Sequence, residues 1–389
     1  MKKILVAVLA VAVLAAAGQA SETRVLTMGD NNMILLDEAN IMLFPSRLQE
    51  YPNLATAEFQ SDDMMMLGMH WKFKPEKSCV LGTYFHNNSA EQHDFAPVNA
   101  PLGVNKRFDL FFAKKMNDHK VGFHLGWRHS SDANDKPASQ DETGLAVINL
   151  DFGLTPKGDN VDLACGLELL TWTHTGTKST DSSAYDITSP SGNMGLYARA
   201  RRFKELNDRT TMIPHAELRY GTYEYDVFNT LAPYDLNETV TNDLFRFEAG
   251  SGFEYVPANN VLAVLDLGFI YDNVTTTETD ASDGDEFETK YSTLVFPYFK
   301  VGFDADVFTW MDLRFGSTSY WEWETIDAGG SKDKRGYPDN DTYLGFGFHW
   351  NRLHVDVHAN QAMFLDGFNF LSGASNNMNF RISAVYDMM

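Results

Sequence analysis

Val161-Asp-Leu-Ala-Cys-Gly-Leu-Glu-Leu169 is the stretch that decides the fold. In an extended chain successive side chains point to opposite faces. Val161, Leu163, Cys165, Leu167 and Leu169 then share one face, and Asp162, Ala164, Gly166 and Glu168 share the other. The same two-faced rhythm recurs in 342–350, 121–128, 309–323 and 380–388, and sixteen such segments run down the chain. The gaps between them alternate in length. Short ones fall at 74–78, 117–120, 155–160, 206–210, 256–260, 304–308 and 351–353, and carry Asn, Asp, Pro and Gly. Long ones fall at 88–104, 130–142, 176–191, 226–240, 274–288, 326–341 and 366–377, with a tight turn at 61–63 as the single exception. A soluble sandwich also alternates, but its loops do not sort by length in strict turn. Short turns at one end and long loops at the other, joining strands with one apolar and one polar face, are the pattern of a membrane-spanning barrel. The expected fold is all-β, a transmembrane antiparallel β-barrel of about 14–16 strands preceded by a plug segment.

The ends and the composition agree with this. Lys2 and Lys3 precede an almost wholly apolar run, 4–17, followed by Gly18, Gln19 and Ala20, which reads as an export signal cleaved after Ala20. The run is short for a membrane span, which takes about 20 residues, and no second long apolar run follows. The expected organisation is 1–20 signal peptide, 21–53 N-terminal segment and 54–389 barrel, with the protein integral to the cell outer membrane. A net charge of −22 argues against nucleic acid as a partner. Cys79 and Cys165 lie on strands far apart in order, so two free thiols are expected. Trp71, Phe73, Trp127, Trp172, Tyr220, Trp321, Trp323 and Trp350 collect near strand ends, where aromatic rings meet the lipid headgroups.

The second face of the strands is charged in both signs. Arg107, Asp109, Arg128, Glu168, Arg199, Arg201, His215, Glu217, Arg219, Arg246, Glu248, Arg314, His358 and Arg381 are expected to line the lumen, with His70, Lys72, His124, Asp151, Asp312 and Asp356 among them. An unpaired buried charge is costly, so most should pair across strands; His215-x-Glu217-x-Arg219 and Arg246-x-Glu248 place opposite charges two apart on one face. No serine, cysteine or other nucleophile is singled out beside these groups, so no enzyme is expected. No cofactor or metal is expected either: the acidic loop 280–288 contains Gly284 but lacks the spacing of a dedicated calcium loop. Pro214 and Pro297 interrupt strands and should mark a kink, a bulge or a strand end.

One segment breaks the rhythm. It contains Met28-Gly29, then Asp37-Glu-Ala39-Asn40, then Phe44-Pro45-Ser46-Arg47-Leu48. These stretches resemble the N-terminal hatch of the long-chain fatty-acid transporter (FadL-type) family of outer-membrane barrels and its PorV-type relatives. Phe44 stands where that family's closing motif has Asn, and Ser46-Arg47 where it has Ala-Gly. The resemblance implies a lumen plugged by the segment through Met28, Gly29, Asp37, Asn40, Phe44, Pro45 and Arg47. It implies a hydrophobic small-molecule ligand that shifts the plug and leaves through the wall. A general diffusion porin, or a structural or secretion-associated barrel holding a protein partner at its extracellular loops, remains the alternative. Outer-membrane lipid is a partner in every case.

Overall fold

A computed structural model describes residues 22–60, 65–73, 79–89, 104–136, 139–178, 183–188, 193–229, 237–280, 284–360 and 380–388. The leader at 1–20, the turn at 61–63, the indole of Trp172 and the tips of several outward loops lie outside the described residues. One sheet contains every strand, each hydrogen-bonded antiparallel to its neighbours. It runs from β1 (Leu54–Gln60), β2 (Met65–Phe73), β3 (Cys79–Ser89), β4 (Val104–Met116), β5 (His119–Lys136), β6 (Ser139–Thr155) and β7 (Val161–Lys178) to β8 (Ser183–Thr188), β9 (Asn193–Arg202) and β10 (Lys204–Asn207). It continues with β11 (Thr210–Asn229), β12 (Asn237–Ala258), β13 (Val261–Asp280), β14 (Glu286–Phe308), β15 (Met311–Ala328), β16 (Ser331–Trp350), β17 (Leu353–Asn360) and β18 (Phe380–Asp387). β18 pairs back onto β1, with Leu54 opposite Asp387 and Gln60 opposite Arg381, so the sheet has no edge. That closure is what a bilayer demands, since a free edge in hydrocarbon leaves backbone polar groups unsatisfied.

β8 and β9 both pair with β7 on one side and β11 on the other, and β10 continues along β11. The three occupy one position in the wall, so the eighteen strands fill sixteen positions. The break between β9 and β10 explains Pro214. Phe203 leaves the ladder and its N–H donates to Asn160 O at 2.8 Å, opposite the residues around Pro214, which has no N–H to offer. Against β12 the register passes Pro214 without a shift. Pro297 instead sits in a bulge, with register shifts in β14 against both β13 and β15.

The alternation of the opening stretch is realised as an in-out alternation. Leu163, Cys165 and Leu169 are exposed on the outer surface; Asp162, Ala164 and Glu168 are buried inside. Phe123, Leu125, Trp127, Leu150, Phe152, Leu196, Leu218, Phe303 and Phe315 are likewise exposed, and together they form an apolar exterior. Trp71, Phe73, Tyr220, Trp321, Trp323 and Trp350 are exposed as well. Cys79 and Cys165 are free.

Two expectations about the gaps need correction. Where they are described, the long outward gaps are mostly strand; 90–103 and the gap expected at 366–377 lie outside the described residues. β5 continues to Lys136 and β6 begins at Ser139, while β15 and β16 meet at a two-residue Gly329-Gly330 turn with φ +56° and +80°, the left-handed geometry of a tight hairpin. Past the bilayer both faces are wet, so alternation stops while the ladder goes on. Exposed pairs such as Lys332–Asp327 and the hydrogen bonds of Tyr337 to Glu322 and Glu324 replace it. At the other end, β14 runs on to Phe308 and turns only at 309–310, a few residues beyond the gap expected at 304–308.

Candidate functional site

The residues before β1 form three short elements. α1 (Glu22–Thr27) ends at Gly29, whose φ of +81° suits glycine. A Cβ there would also meet the Val301 carbonyl oxygen at 2.4 Å, so glycine is required twice over. A first 3₁₀ helix (Glu38–Met42) is capped by Asp37. Its carboxylate accepts from Ala39 N at 3.1 Å, and the Asp37 N–H donates to Asn40 Oδ1 at 3.1 Å, a closed capping box. A second 3₁₀ helix (Pro45–Glu50) begins on Pro45, where the missing N–H costs nothing.

This segment lies inside the barrel and touches the wall all the way round. Arg381 on β18 pairs with Glu22, and Arg24 donates to Asp304 on β14 at 3.1 Å. Thr318 on β15 donates to Gly29 O at 3.0 Å, and Lys300 on β14 donates to Asp30 O at 3.1 Å. Ile34 packs on Gly252 of β12 and clusters with Ile213 and Val264 of β11 and β13. Arg201 on β9 donates to Met33 O, Leu35 O and Asn40 Oδ1 at 3.1–3.2 Å. The Pro45–Ser46 backbone rests on Gly122 and Gly153 of β5 and β6, where an added Cβ would lie 2.2 Å and 2.8 Å from it. Ile41, Leu48 and Tyr51 close an apolar cluster with β1–β4, and His70 on β2 hydrogen-bonds Tyr51 O at 2.7 Å.

One carboxylate anchors the second helix. Asp162, fully buried, accepts from Arg47 Nε at 2.8 and 2.9 Å, from Arg201 Nε at 2.8 Å and from Thr155 Oγ1 at 2.7 Å. Thr155 in turn contacts the Ser46 hydroxyl at 2.8 Å. Arg47 also pairs with Glu50, which accepts from Lys120 at 2.6 Å. The Arg201 guanidinium stacks 4.5 Å from the Phe44 ring centre, a cation–π contact. Phe44, Ser46 and Arg47, the places where the chain departs from the motif it resembles, are thus among the side chains that bind the wall. Met28, Asp37, Asn40, Phe44, Pro45 and Arg47 are all buried. Burial pushes the Asp37 carboxyl up to about 6, against the pull of Arg24.

The lumen face is a chain of ion pairs. Asp109 pairs with Arg107 Nε at 2.7 Å and His86 at 3.2 Å and hydrogen-bonds His124 at 2.8 Å, and His124 reaches Asp151 at 2.5 Å. Arg199 pairs with Glu217 at 3.0 Å, Glu217 with Arg219, and Arg246 with Glu248 at 3.8 Å and Asp272 at 3.6 Å. His215 pairs with Asp266 at 3.0 Å, not with Glu217 two residues away. Arg314 meets Asp304, Asp312 and Asp356, and Arg381 meets Glu58 as well as Glu22. Glu168 accepts from Asn149 at 2.9 Å; His358 is buried and Arg128 half-buried. Lys72 is exposed near the end of β2, where its backbone N–H donates to Asn53 Oδ1. Among the described residues no His, Cys, Asp and Glu group has metal-binding geometry. Asp162, Asp266, Asp272, Asp304 and Glu58 are among the inward acids missing from the expected set. Asp162 stood on the polar face of the opening stretch, but nothing local marks it as the partner of Arg47, 115 positions away.

Two of the cavities bear on the segment and the wall. One, about 530 Å³, opens between the segment (Arg24, Leu36, Glu50) and the short-turn end of the wall (Asp306, His349, His354). The other, about 810 Å³, is an apolar hollow on the outer surface over β3–β11. It is lined by Leu110, Phe112, Leu125, Phe152, Leu196 and Leu218, and its floor reaches His124, Asp151 and Gly166 of the inner face.

A closed barrel with an apolar exterior, an ionic interior and its own N-terminal segment across the lumen is a membrane-spanning β-barrel. In architecture it resembles FadL-type transporters. The CymD monoaromatic hydrocarbon channel has a TM-score of 0.45 at 10% identity, over 96% of this chain and 98% of that one. A Pseudomonas aeruginosa FadL homologue has 0.47 at 12%, over 96% and 100%, and the Ralstonia pickettii toluene transporter TbuX 0.44 at 9%, over 96% and 97%. No protein-family model and no curated protein matches the chain.

Proposed function

We propose that this protein is an outer-membrane transport barrel, exported by its leader, closed by its N-terminal segment and serving the uptake of hydrophobic small molecules. The observation that carries the closure is the ring of contacts between residues 22–53 and the wall from β1 round to β18. A segment merely lying in a pore would touch one side; this one spans the cross-section. An open diffusion pore would keep that cross-section free. The hydrophobic ligand class is supported by the 810 Å³ apolar hollow, whose floor brings the lipid side of the wall next to the inner face. The ionic lumen suits a pathway in which an apolar ligand leaves the water-filled bore early and enters the wall region instead. Transport then requires the segment to shift from its seat, and Met28, Gly29, Asp37, Asn40, Phe44, Pro45 and Arg47 are the residues that hold it there.

Planar-bilayer conductance tests the closure. At about pH 5, where ordinary carboxyls are near their own value, wild-type protein should conduct little, and deletion of residues 22–53 should raise the steady conductance. A large wild-type conductance that the deletion leaves unchanged refutes it. The ligand class is tested by displacement of a bound hydrophobic fluorophore by toluene and by a fatty acid. Absence of any saturable binding refutes that half.

A further inference from the structure

Glu38 is the buried acid whose place in the fold the wall contacts do not explain. It opens the first 3₁₀ helix, is only 3% exposed, and neither of its carboxyl oxygens meets a hydrogen-bond donor at bonding geometry. It lines a small cavity of about 10 Å³ with Glu22 of α1, Met42, Thr56 of β1, Met66 of β2 and Tyr84 of β3, space for about one water.

The charges around it are already committed. On α1, Glu22 is paired with Arg381 of β18, which also holds Glu58 of β1; Arg24 is paired with Asp304 and Asp37. The Tyr84 hydroxyl on β3 is bonded to His70 Nε2 at 2.7 Å. On β4, Arg107 is paired with Asp109 and also reaches the Met42 sulfur. On β17, Asp356 is held by Arg314. Adjacent in the chain stands Asp37, another carboxyl. Among the described residues no cation pairs with Glu38, and the charges that act on it most strongly are the acids Asp37 and Asp356. An ionised carboxylate here costs several kcal/mol; a neutral carboxylic acid costs much less.

We propose that Glu38 is a proton-operated latch: the segment seats in the barrel with Glu38 as a neutral acid, and loss of that proton loosens the first 3₁₀ helix from β1–β3 and opens the lumen. This rests on the closure described above. Burial, then the Asp37 charge, holds the Glu38 carboxyl well above the usual range, and Asp37 is raised too. For a carboxyl raised in the seated state, that state binds more protons than the released one. Seating is therefore full below the released-state value and declines as pH rises, by at most about tenfold per pH unit for one proton.

The test measures conductance of wild type, Glu38→Gln and the 22–53 deletion from about pH 5 to about pH 9, spanning carboxyls from ordinary to strongly raised. Wild type should be closed in acid and open progressively as pH rises. Glu38→Gln, which keeps the shape of the neutral acid, should stay closed throughout, and the deletion should be open at every pH. Trypsin cleavage at Arg24 and Arg47 gives a second readout that needs no variant: in wild type it should accelerate with pH beyond its rise on an unfolded peptide of the same segment. Superimposable wild-type and Glu38→Gln profiles beside an open deletion overturn the latch alone. So does pH-independent protection of wild type. A deletion that conducts like wild type at every pH, the acid end included, overturns the closure itself.

Discussion

Replacing Asp162 by alanine should unseat the N-terminal segment while leaving the barrel folded. This carboxylate is the shared acceptor of two buried guanidinium groups, Arg47 from the segment and Arg201 from the wall, and of Thr155. Arg201 in turn carries three bonds to the segment's backbone and Asn40. Removing one partner of a buried ion pair leaves an uncompensated charge and costs about 3–5 kcal/mol. The barrel bears part of that cost, but Arg47 escapes it by leaving with its helix. The cost therefore falls mainly on the seated state, shifting the seated-to-released ratio by up to about 140- to 4000-fold at about 1.4 kcal/mol per tenfold. Asp162→Asn keeps one acceptor oxygen and should lose about 1.5–3 kcal/mol, the worth of hydrogen bonds to charged groups. The assay is single-channel conductance with trypsin susceptibility at Arg47, on protein whose heat-modifiable gel mobility shows a folded barrel. An Asp162→Ala barrel with native mobility that stays closed and trypsin-resistant would refute the anchoring role.

Gly122→Val places a side chain on the Pro45–Ser46 backbone, which a Cβ would approach to 2.2 Å; trypsin should cut the segment at Arg47 faster than in wild type, and equal protection counts against the contact. Phe44→Leu removes the ring under Arg201, worth about 0.5–2 kcal/mol, and should raise the open probability about 2- to 30-fold; no change in gating refutes it. Leu125→Arg, on the exposed outer face, should destabilise the barrel by about 2–4 kcal/mol in urea titrations in lipid vesicles, and a neutral result would place Leu125 away from lipid. Lys332→Ala breaks only an exposed pair with Asp327 and should shift stability by less than about 0.5 kcal/mol in the same titration.

Much of the fold was legible because a barrel strand writes its two environments into alternate positions. Val161 to Leu169 shows lipid at the odd positions and lumen at the even ones, and the structure keeps that split. The count of sixteen wall positions survives because each crossing must reverse direction at a turn the sequence marks, such as Asn117-Asp118 with φ of +49° and +68°. The outward hairpins were illegible for the converse reason. Residues 331–341 are exposed on both faces, so no pattern distinguishes a strand there from a loop. Within the segment, Asp37 and Asn40 could be read as a cap because their partners lie within three residues.

The wall anchors could not be read that way. Arg47 chooses Asp162, Arg24 chooses Asp304 and Arg381 chooses Glu22, across 115, 280 and 359 positions. His215 takes Asp266 from β13 although Glu217 stands nearer in sequence, because both belong to a closed ring in which neighbours on the inner face come from different strands. Sequence alone determined which residues face lipid and which face inward, since that choice is made residue by residue against solvent or hydrocarbon. Which inward charge meets which, and that residues 22–53 span the bore, was decided only when β18 closed onto β1. Closure is what brings every inward side chain to bear on one confined volume.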